Sequence, residues 1–285
     1  MTWWGHSTVW LADSGVTLLT DPVLTDRVAH LRRMAGPTPV LPGAPDAVLL
    51  SHLHADHFHL ASLRLLSGAP ALIVPRGAKA FVAKTLGPGP ASRCVELAPG
   101  EETAVGPVRV RAVRAAHDGG RGPWSRERAL AIGFVVEGAA RTWYAGDTGL
   151  FDEMNDIGAR LGPFDLTLIE SGQYDADWPD WHLGPEQAVL AHQRVRGQLM
   201  MPVHWGLFAL AHHGWTEPVE RVLAAAACQH VSVLTPQPGQ SVEPQQQASA
   251  SRWWPAQPWH TAAERPVIAT KRGDAAQRVE LPRCS

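Results

Sequence analysis

Short runs of apolar residues, or of alternating apolar and polar residues, recur along the chain and predict β-strands. The runs cover residues 2–11, 16–20, 47–51, 71–75, 108–115, 129–137, 142–145, 166–170, 199–204 and 231–235. Patterns typical of helices, several opened by Gly or Pro, cover residues 60–66, 78–86, 150–160, 185–195 and 217–228. Because the strands of the first half come in runs with few helices between them, the pattern favours an α+β fold, with hairpin-rich sheets covered by helices, over strict βαβ alternation.

Composition and charge narrow the class of protein. The chain has 285 residues, of which 45% are hydrophobic and 18% charged, as in ordinary globular proteins. No apolar run approaches the roughly 20 residues of a membrane-spanning helix, so we expect no stable membrane association. The formal net charge of −2 offers no general attraction for a nucleic acid, and we expect a small-molecule substrate as the partner. The first residues show no export signal, which favours the cytoplasm.

The end of the chain differs in composition from the rest. Residues 1–236 carry the predicted elements and form one predicted domain, whereas residues 237–285 are rich in Pro, Gln and Ser and predict a tail. Trp253, Trp254 and Trp259 indicate that part of this tail docks on the domain, because exposed indoles are a liability, and its last stretch is expected to be disordered. The three cysteines are odd in number and far apart, which predicts reduced thiols.

Histidine is frequent, with 14 residues, and this side chain binds metals or moves protons near neutral pH. The densest cluster is Ser51-His52-Leu53-His54-Ala55-Asp56-His57, directly after an apolar strand. Residues two apart share a face where a chain leaves a strand, so His52 and His54 can converge on one metal ion. Asp56 and His57, past the turn, can face a second ion. A polar loop with solvated histidines is the alternative, but crowding three imidazoles requires a compensating ligand.

This motif resembles the signature of the metallo-β-lactamase superfamily, a group of metal-dependent hydrolases and related enzymes with a four-layer αββα sandwich. Three later strands end in motifs that match the family's order, namely Ala116-His117, Gly146-Asp147-Thr148-Gly149 and His204-Trp205-Gly206. The resemblance implies that one metal ion is held by His52, His54 and His117. It implies that a second ion is held by Asp56, His57 and His204, and that Asp147 bridges the two.

The implied site is a dinuclear metal centre with positions left open for a bridging water. A carboxylate between two dications offsets their repulsion, and zinc lowers the pKa of bound water to about 7, so a bridging hydroxide can act as nucleophile without a strong base. We therefore predict two divalent metal ions, Zn²⁺ in the first place, although such ligands also accept Mn²⁺ or Fe²⁺. Asp56 is predicted to serve catalysis as well as to bind metal.

Within the superfamily, residues 2–227 are similar to the branch that contains N-acyl-phosphatidylethanolamine phospholipase D and the ascorbate-6-phosphate lactonase-like proteins. The matching stretches are Trp4-Gly5-His6-Ser7-Thr8, Leu19-Thr20-Asp21-Pro22 and Pro202-Val203-His204-Trp205-Gly206-Leu207-Phe208-Ala209-Leu210. Asp21 is predicted to accept a hydrogen bond from a ligand imidazole, or else to cap the turn before Pro22. His6 is expected to lie behind the ligands, with a place in the core favoured over catalysis.

The same branch implies a substrate-side loop at residues 170–174 and 181–186. His182, just before a predicted helix, is predicted to be catalytic, either by hydrogen-bonding the transition-state oxyanion or by giving a proton to the leaving group. A surface histidine near a helix cap is the alternative. Tyr174, Trp181 and His213 are predicted to contact the substrate, and His213 matches the branch's histidine better than His212 does.

The predicted reaction is hydrolysis of a phosphodiester, in which two metals clamp the attacking and leaving oxygens. A lactone, ester or amide hydrolase would use the same seven ligands and stays open as an alternative. Intact Asp56 and His57 disfavour a one-metal redox enzyme, and the complete ligand set disfavours a non-catalytic metal-binding module. After the third histidine motif the chain reads Asp118-Gly119-Gly120 where phospholipase-type members tend to have Trp-Ser, which weakens the prediction of an acyl-phospholipid substrate.

Overall fold

Two β-sheets form the centre of the fold, described from a computed structural model for residues 1–122, 125–244, 246, 251–268, 270–271, 274–278 and 281. The first sheet contains, in spatial order, β1 (Thr2–Gly5), β2 (Thr8–Asp13), β3 (Val16–Thr20), β6 (Ala47–Leu49), β7 (Ala71–Pro75) and β8 (Cys94–Leu97). Its first three strands are antiparallel neighbours, and β3, β6, β7 and β8 run parallel. A separate short hairpin pairs β4 (Arg27–Val28) with β5 (Leu31–Arg32).

The second sheet is built from the later part of the chain. Its strands are, from one edge to the other, β15 (Ser232–Val233), β14 (Gly197–Val203), β13 (Phe164–Glu170), β12 (Arg141–Tyr144), β11 (Ile132–Glu137), β10 (Val108–Arg114) and β9 (Glu102–Val105). The strands from β12 to β15 are parallel, and those from β9 to β12 are antiparallel. A further hairpin in the tail pairs β16 (Thr270–Lys271) with β17 (Asp274–Arg278).

Helices cover the outer face of each sheet. The helices are α1 (Leu60–Leu65), α2 (Lys79–Leu86), α3 (Pro88–Ser92), α4 (Met154–Leu161), α5 (Pro185–Arg194) and α6 (Glu217–Cys228). Phe81 of α2 packs in one apolar core with the first sheet, and Met154 of α4 packs in another with the second sheet. A third core, which contains Leu18 and Phe134, lies between the sheets. This order of layers confirms the predicted α+β fold, a four-layer αββα sandwich.

The strand β11 shows why the apolar runs are continuous rather than alternating. Phe134 belongs to the core between the sheets, whereas its neighbour Val135 belongs to the core under the helices. Successive side chains of a strand point to opposite faces, and both faces of this sheet are covered. The buried part of such a strand, here Ile132 to Val136, therefore carries no polar side chain.

The strands that lead to the candidate chemistry all run in the same direction. β1, β3 and β6 share one direction in the first sheet, and β10, β12, β13 and β14 share one direction in the second. Their carboxyl ends meet at one edge of the sandwich, where side chains that follow β1, β6 and β14 come within contact distance. We call this edge the site edge.

Several short elements differ from the prediction. The predicted strand at residues 2–11 is a hairpin of β1 and β2, because the chain reverses at Gly5 and His6, which both have left-handed backbone (φ 100° and 51°). A turn signal was present in Gly5 and the polar residues His6, Ser7 and Thr8, and the prediction of a single strand overlooked it. Helix α3 and the strands β4, β5, β8 and β9 have seven residues or fewer and were not predicted, because they are too short for a clear period.

Part of the tail lies on the domain. The amino group of Met1 donates to the carbonyl oxygen of Val242 at 2.7 Å, and the ring of Trp254, which is 6% exposed, lies 5.3 Å from that of Trp205. The domain boundary at residue 236 stays a prediction, and the predicted disorder near the end of the chain falls largely on residues outside the described ranges. Within those ranges, no helix has the length and apolar character needed to cross a membrane.

The cysteines differ from the expectation of reduced thiols. Cys94 is a free thiol, but Cys228 is disulfide-bonded, so the prediction is wrong for Cys228. Cys284 lies outside the described residues. The odd number of cysteines and their wide spacing were a weak guide, because spacing along the chain does not determine distance in the fold.

Candidate metal centre

The site edge brings together the seven predicted metal ligands and one further histidine. The eight residues, which we call the central cluster, are His6, His52, His54, Asp56, His57, His117, Asp147 and His204. Each follows the carboxyl end of a strand: His6 follows β1, residues 52–57 follow β6, His117 follows β10, Asp147 follows β12 and His204 follows β14. Rigid strands therefore fix the chain on both sides of the site.

His52, His54 and His117 form a first set of donor atoms, which lie within 4.8 Å of one another. Nε2 of His117 is 3.2 Å from Nδ1 of His54, and Nδ1 of His117 donates to the carbonyl oxygen of Trp181 at 2.7 Å. Oγ of Ser51 lies 2.9 Å from Nδ1 of His52, which leaves Nε2 of His52 as the nitrogen directed into the cluster.

Asp56, His57 and His204 form a second set, and His6 lies in contact with it. Nε2 of His57 is 3.1 Å from Nε2 of His204, and Oδ2 of Asp56 is 3.4 Å from the same atom of His204. Nε2 of His6 lies at hydrogen-bond distance, 3.0 Å, from Oδ2 of Asp56. His6 is fully buried, as expected, and it contacts a predicted ligand directly.

Asp147 lies between the two sets. Its Oδ2 is 2.9 Å from Nε2 of His57, 3.3 Å from Nε2 of His204 and 3.8 Å from Nε2 of His52. Gly146 makes this approach possible, because it has left-handed backbone (φ 62°) and a Cβ there would lie 2.9 Å from Cβ of Ser51. The glycine before Asp147 thus allows the end of β12 to reach the segment that follows β6.

The donor atoms of the central cluster fit divalent cations. Pairs of imidazole nitrogens face each other at 3.1 and 3.2 Å, as they do when they converge on a shared ion. Nε2 of His52 and Oδ1 of Asp147 are buried without a hydrogen-bond partner among the described residues. Buried polar atoms without partners are rare in folded proteins. Imidazole and carboxylate donors in this number suit Zn²⁺, Mn²⁺ or Fe²⁺.

The two donor sets differ in the protonation of their histidines. Burial is the main reason that the pKa values of His54 and His117 fall to about 4, so both are neutral near pH 7, the form that binds metal. Burial would also lower the pKa of His204, but Asp147 and Asp56 raise it to about 10. The carboxylates thus favour positive charge at this end of the cluster.

Asp21 supports the second set from behind. Its Oδ2 accepts a hydrogen bond from Nδ1 of His57 at 2.7 Å, and its Oδ1 accepts from the backbone N–H of Ser51 at 2.8 Å. The hydroxyl of Tyr144 donates to the same carboxylate. All four residues are buried, so the ring of His57 is held with Nε2 towards Asp147.

His182 lies next to the central cluster and is held by Glu170. Nδ1 of His182 is 2.7 Å from Oε2 of Glu170, and the His182 ring lies 5.0 Å from the ring of His117 and 5.3 Å from that of His204. Burial lowers the pKa of His182 to about 4, which keeps its ring neutral. Burial and the nearby Asp147 raise the pKa of Glu170 well above its usual range.

The family model for the β-lactamase superfamily domain matches residues 17–205. The chain belongs to the metallo-β-lactamase superfamily. Residues 17–205 include every predicted metal ligand and His182, so the match covers the whole of the site described above apart from His6.

Relatives of this superfamily member extend the comparison. An uncharacterized Mycobacterium tuberculosis protein is 41% identical over 89% of this chain and 71% of its own length. N-acyl-phosphatidylethanolamine-hydrolyzing phospholipase D 1 of Caenorhabditis elegans is 32% identical over 73% of this chain and 64% of its own length. The structure of Igni18, a metallo hydrolase of Ignicoccus hospitalis, covers 85% of this chain and 96% of its own with a TM-score of 0.65, and at 21% identity this likeness shows the fold. The chain is a metal-dependent hydrolase of the metallo-β-lactamase superfamily.

The residues predicted to contact substrate lie at unequal distances from this metallo-β-lactamase-type site. Trp181 is 44% exposed and its ring lies 5.9 Å from that of His117, at the rim of the site. The hydroxyl of Tyr174 instead donates to Glu217 at 2.8 Å, and its ring stacks on His213. The ring nitrogens of His213 bond to backbone groups of residues 173 and 214. Tyr174 and His213 therefore contact each other and join loops, and neither contacts the central cluster.

Two further residues were missed as site residues by sequence reasoning. Glu170, at the end of β13, is fully buried between the strands that lead to Asp147 and His204, and it bonds to His182. Tyr144, at the end of β12, bonds to Asp21. A signal was present, because both are polar groups at the carboxyl ends of apolar strands, where this superfamily places its chemistry.

Proposed function

We propose that this protein hydrolyses a small-molecule phosphodiester and that its central cluster holds two divalent cations, zinc in the first place. The observation that carries the proposal is the position of Asp147, whose Oδ2 lies within 3.8 Å of imidazole nitrogens of both donor sets. A carboxylate shared in this way suits two neighbouring dications better than one. When bound, such cations act as Lewis acids on water and on substrate oxygens.

The chain's own residues then have separate tasks. His52, His54 and His117 would hold one cation, Asp56, His57 and His204 the other, and Asp147 would contact both. Asp21 holds His57 in the tautomer that presents Nε2, since its Oδ2 accepts from Nδ1 at 2.7 Å. His6, bonded to Oδ2 of Asp56, keeps that carboxylate turned towards the second set.

We assign His182 to the substrate. It is held by Glu170 and stands beside both donor sets, so its neutral ring is positioned to hydrogen-bond a phosphate oxygen as charge develops there. Trp181, exposed at the rim, offers an apolar surface for the organic part of the substrate.

A phosphodiester is favoured over a lactone for two reasons. A diester carries a negative charge and two ester oxygens, which a pair of cations can clamp from both sides. The Caenorhabditis elegans relative, 32% identical, is named for phospholipase D activity on a phosphodiester lipid. Those two points favour a diester as the substrate. Hydrolysis of a lactone is the alternative that the experiment below distinguishes.

The test measures proton release in weak buffer, because both hydrolyses liberate acid. Protein loaded with Zn²⁺ is offered bis(4-nitrophenyl) phosphate or γ-butyrolactone, each with a control that contains EDTA. Chelator-sensitive release from the diester alone supports the proposal. Proton release from the lactone alone would overturn the proposal in favour of a lactonase. The absence of proton release from either compound would contradict hydrolysis of simple diesters.

A further inference from the structure

The C-terminal segment, residues 251–268, crosses the helices behind the substrate-side loops. Near its start, Arg252 and Nε1 of Trp254 both bond to Glu220 of α6, at 2.5 and 2.8 Å. Trp254 is buried and packs edge-on against Trp205, the residue that follows His204. The start of the segment is therefore anchored both on α6 and on the residue that follows His204.

The middle of the segment reaches the loop that carries Tyr174. The backbone N–H of His260 donates to Oε2 of Glu217 at 3.2 Å, and Oε1 of the same carboxylate accepts from the hydroxyl of Tyr174 at 2.8 Å. Glu217 is buried, so this carboxylate forms a bridge of two hydrogen bonds between the segment and the loop at 173–181.

The last part of the segment reaches the start of α5 through Arg221. This fully buried arginine donates to both carboxylate oxygens of Glu186, at 2.9 and 2.8 Å, and to the backbone oxygen of Arg265 at 3.0 Å. Glu186 lies in the first turn of α5, four residues after His182. A two-pronged ion pair of this kind has a defined geometry, so it fixes the segment relative to α5.

Val267 makes the closest approach to His182. A Cβ placed on Gly184 would lie 2.6 Å from Cγ2 of Val267, so the valine packs directly on the backbone two residues after His182. Gly184 is the N-cap of α5, and its N–H donates to the side chain of Gln187 at 2.7 Å. The side chain of Val267 can rest there only because position 184 has no Cβ.

We propose that the C-terminal segment is a positioning element for substrate: through Val267, Arg265 and His260 it fixes the loop at 173–184 and thereby His182. This inference rests on the proposed function only for the statement that these loops face the substrate. The metal ligands follow the ends of strands, and none of them belongs to this loop. The loop contacts them through the carbonyl oxygen of Trp181, which accepts from Nδ1 of His117 at 2.7 Å. The ligand side chains themselves do not change, so we expect the segment to act on substrate handling, with bound metal retained.

A double-mutant cycle tests the closest contact in the full-length protein. Gly184→Ala places a methyl group against Val267, Val267→Ala removes the packing, and the double variant replaces one methyl contact with another. We expect each single variant to speed amide hydrogen exchange at residues 173–184 by about threefold or more, while the double variant returns most of the way to wild type. Gly43→Ala is the matched control, because a Cβ there meets nothing within 4 Å.

Two further measurements separate positioning from a loss of stability. Urea midpoints and bound metal should stay at wild-type values in every variant. With a hydrolysable diester, kcat should fall in the single variants and recover in the double variant. The inference would be overturned if residues 173–184 exchanged at the same rate in all variants, or if Gly184→Ala had the same effect with and without Val267→Ala. If the exchange rates show the expected coupling but the wild type hydrolyses no diester, only the proposed function is refuted.

Discussion

Asp21 and His57 follow the ends of two neighbouring parallel strands, β3 and β6, and Oδ2 of Asp21 accepts a hydrogen bond from Nδ1 of His57 at 2.7 Å. In the neutral ring that a metal ligand requires, this bond places the proton on Nδ1 and leaves a lone pair on Nε2, the nitrogen that faces Asp147 and His204. Asp21 has left-handed backbone (φ 27°), which is an unusual conformation for a residue other than glycine. We interpret this unusual backbone as a conformation that holds the carboxylate of Asp21 against the ring of His57.

Substituting Asp21 by Asn tests that support. The amide keeps the shape but loses the charge that orients His57, and supporting groups of this kind contribute about 10- to 100-fold to metal affinity. We expect a loss of Zn²⁺ affinity in that range, measured by competition with a chromophoric chelator. Asp46→Asn is the control, since Asp46 is exposed and bonds to Thr17 at the opposite ends of the same two strands. Unchanged affinity in Asp21→Asn would refute the role.

Substituting Asp147 by Ala tests the shared position between the donor sets. Removal of this carboxylate leaves the imidazoles of His52, His57 and His204 without their common anionic neighbour. We expect bound metal to fall below two equivalents and kcat/KM to drop more than about 100-fold, since even supporting groups contribute that much. Metal content is measured by atomic emission after gel filtration. Asp156→Ala, an exposed position on α4, should bind metal normally; full activity of Asp147→Ala would contradict the bridging role.

The sequence was sufficient to predict the fold class, and it named the seven residues that the structure brings together with His6 in the central cluster. The segment from His52 to His57 is predictable because its spacing is local and follows a buried strand, so geometry over a few residues decides which groups converge. His117, Asp147 and His204 were found by their order along the chain. Their meeting at one edge depends on the common direction of β6, β10, β12 and β14, which no single strand pattern reveals.

The contacts of the residues predicted on the substrate side could not be read from the sequence, for a physical reason. Tyr174 and His213 are close in space but 39 residues apart, and their ring stacking depends on how two loops fold together. Glu170 looks like the polar end of an apolar strand until its contact with His182, 12 residues later, is known. Loop conformation depends on contacts that are distant in sequence, such as those of the C-terminal segment, and periodicity carries no information about them.

Substituting His182 by Ala separates catalysis from metal binding. If His182 contacts the substrate, the variant should retain two equivalents of metal while kcat falls by about 10²- to 10³-fold, the usual contribution of one hydrogen-bond donor to developing negative charge. Glu170→Gln should give a smaller loss of kcat, because the amide still positions the ring. His212→Ala is the control, since the side chain of this histidine is 69% exposed and pairs with Asp175 rather than with the central cluster. Loss of metal from His182→Ala would show that His182 is a ligand instead.

His192 offers a pH test of the fold that does not involve the site. It is buried on α5, where Nδ1 lies 2.8 Å from Oγ1 of Thr167, and burial lowers its pKa to about 4 from the ordinary 6.5. Between these two pKa values the unfolded chain binds a proton that the folded chain does not. The stability of the folded state therefore falls as the pH is lowered from 6.5 towards 4, and this loss is absent above pH 6.5.

The variant His192→Gln removes this titration and should flatten the pH dependence. A shift from 6.5 to about 4 corresponds to at most about 3 kcal/mol of unfolding free energy across the window. Urea unfolding of both proteins at pH 7.5, 5.5 and 4.5, with chelator present so that metal release does not contribute, measures the difference. We expect the unfolding free energy of the wild type to decrease relative to that of the variant as the pH falls below 6.5. Parallel curves would mean that His192 is protonated alike in the folded and unfolded chains, which its burial beside Thr167 argues against.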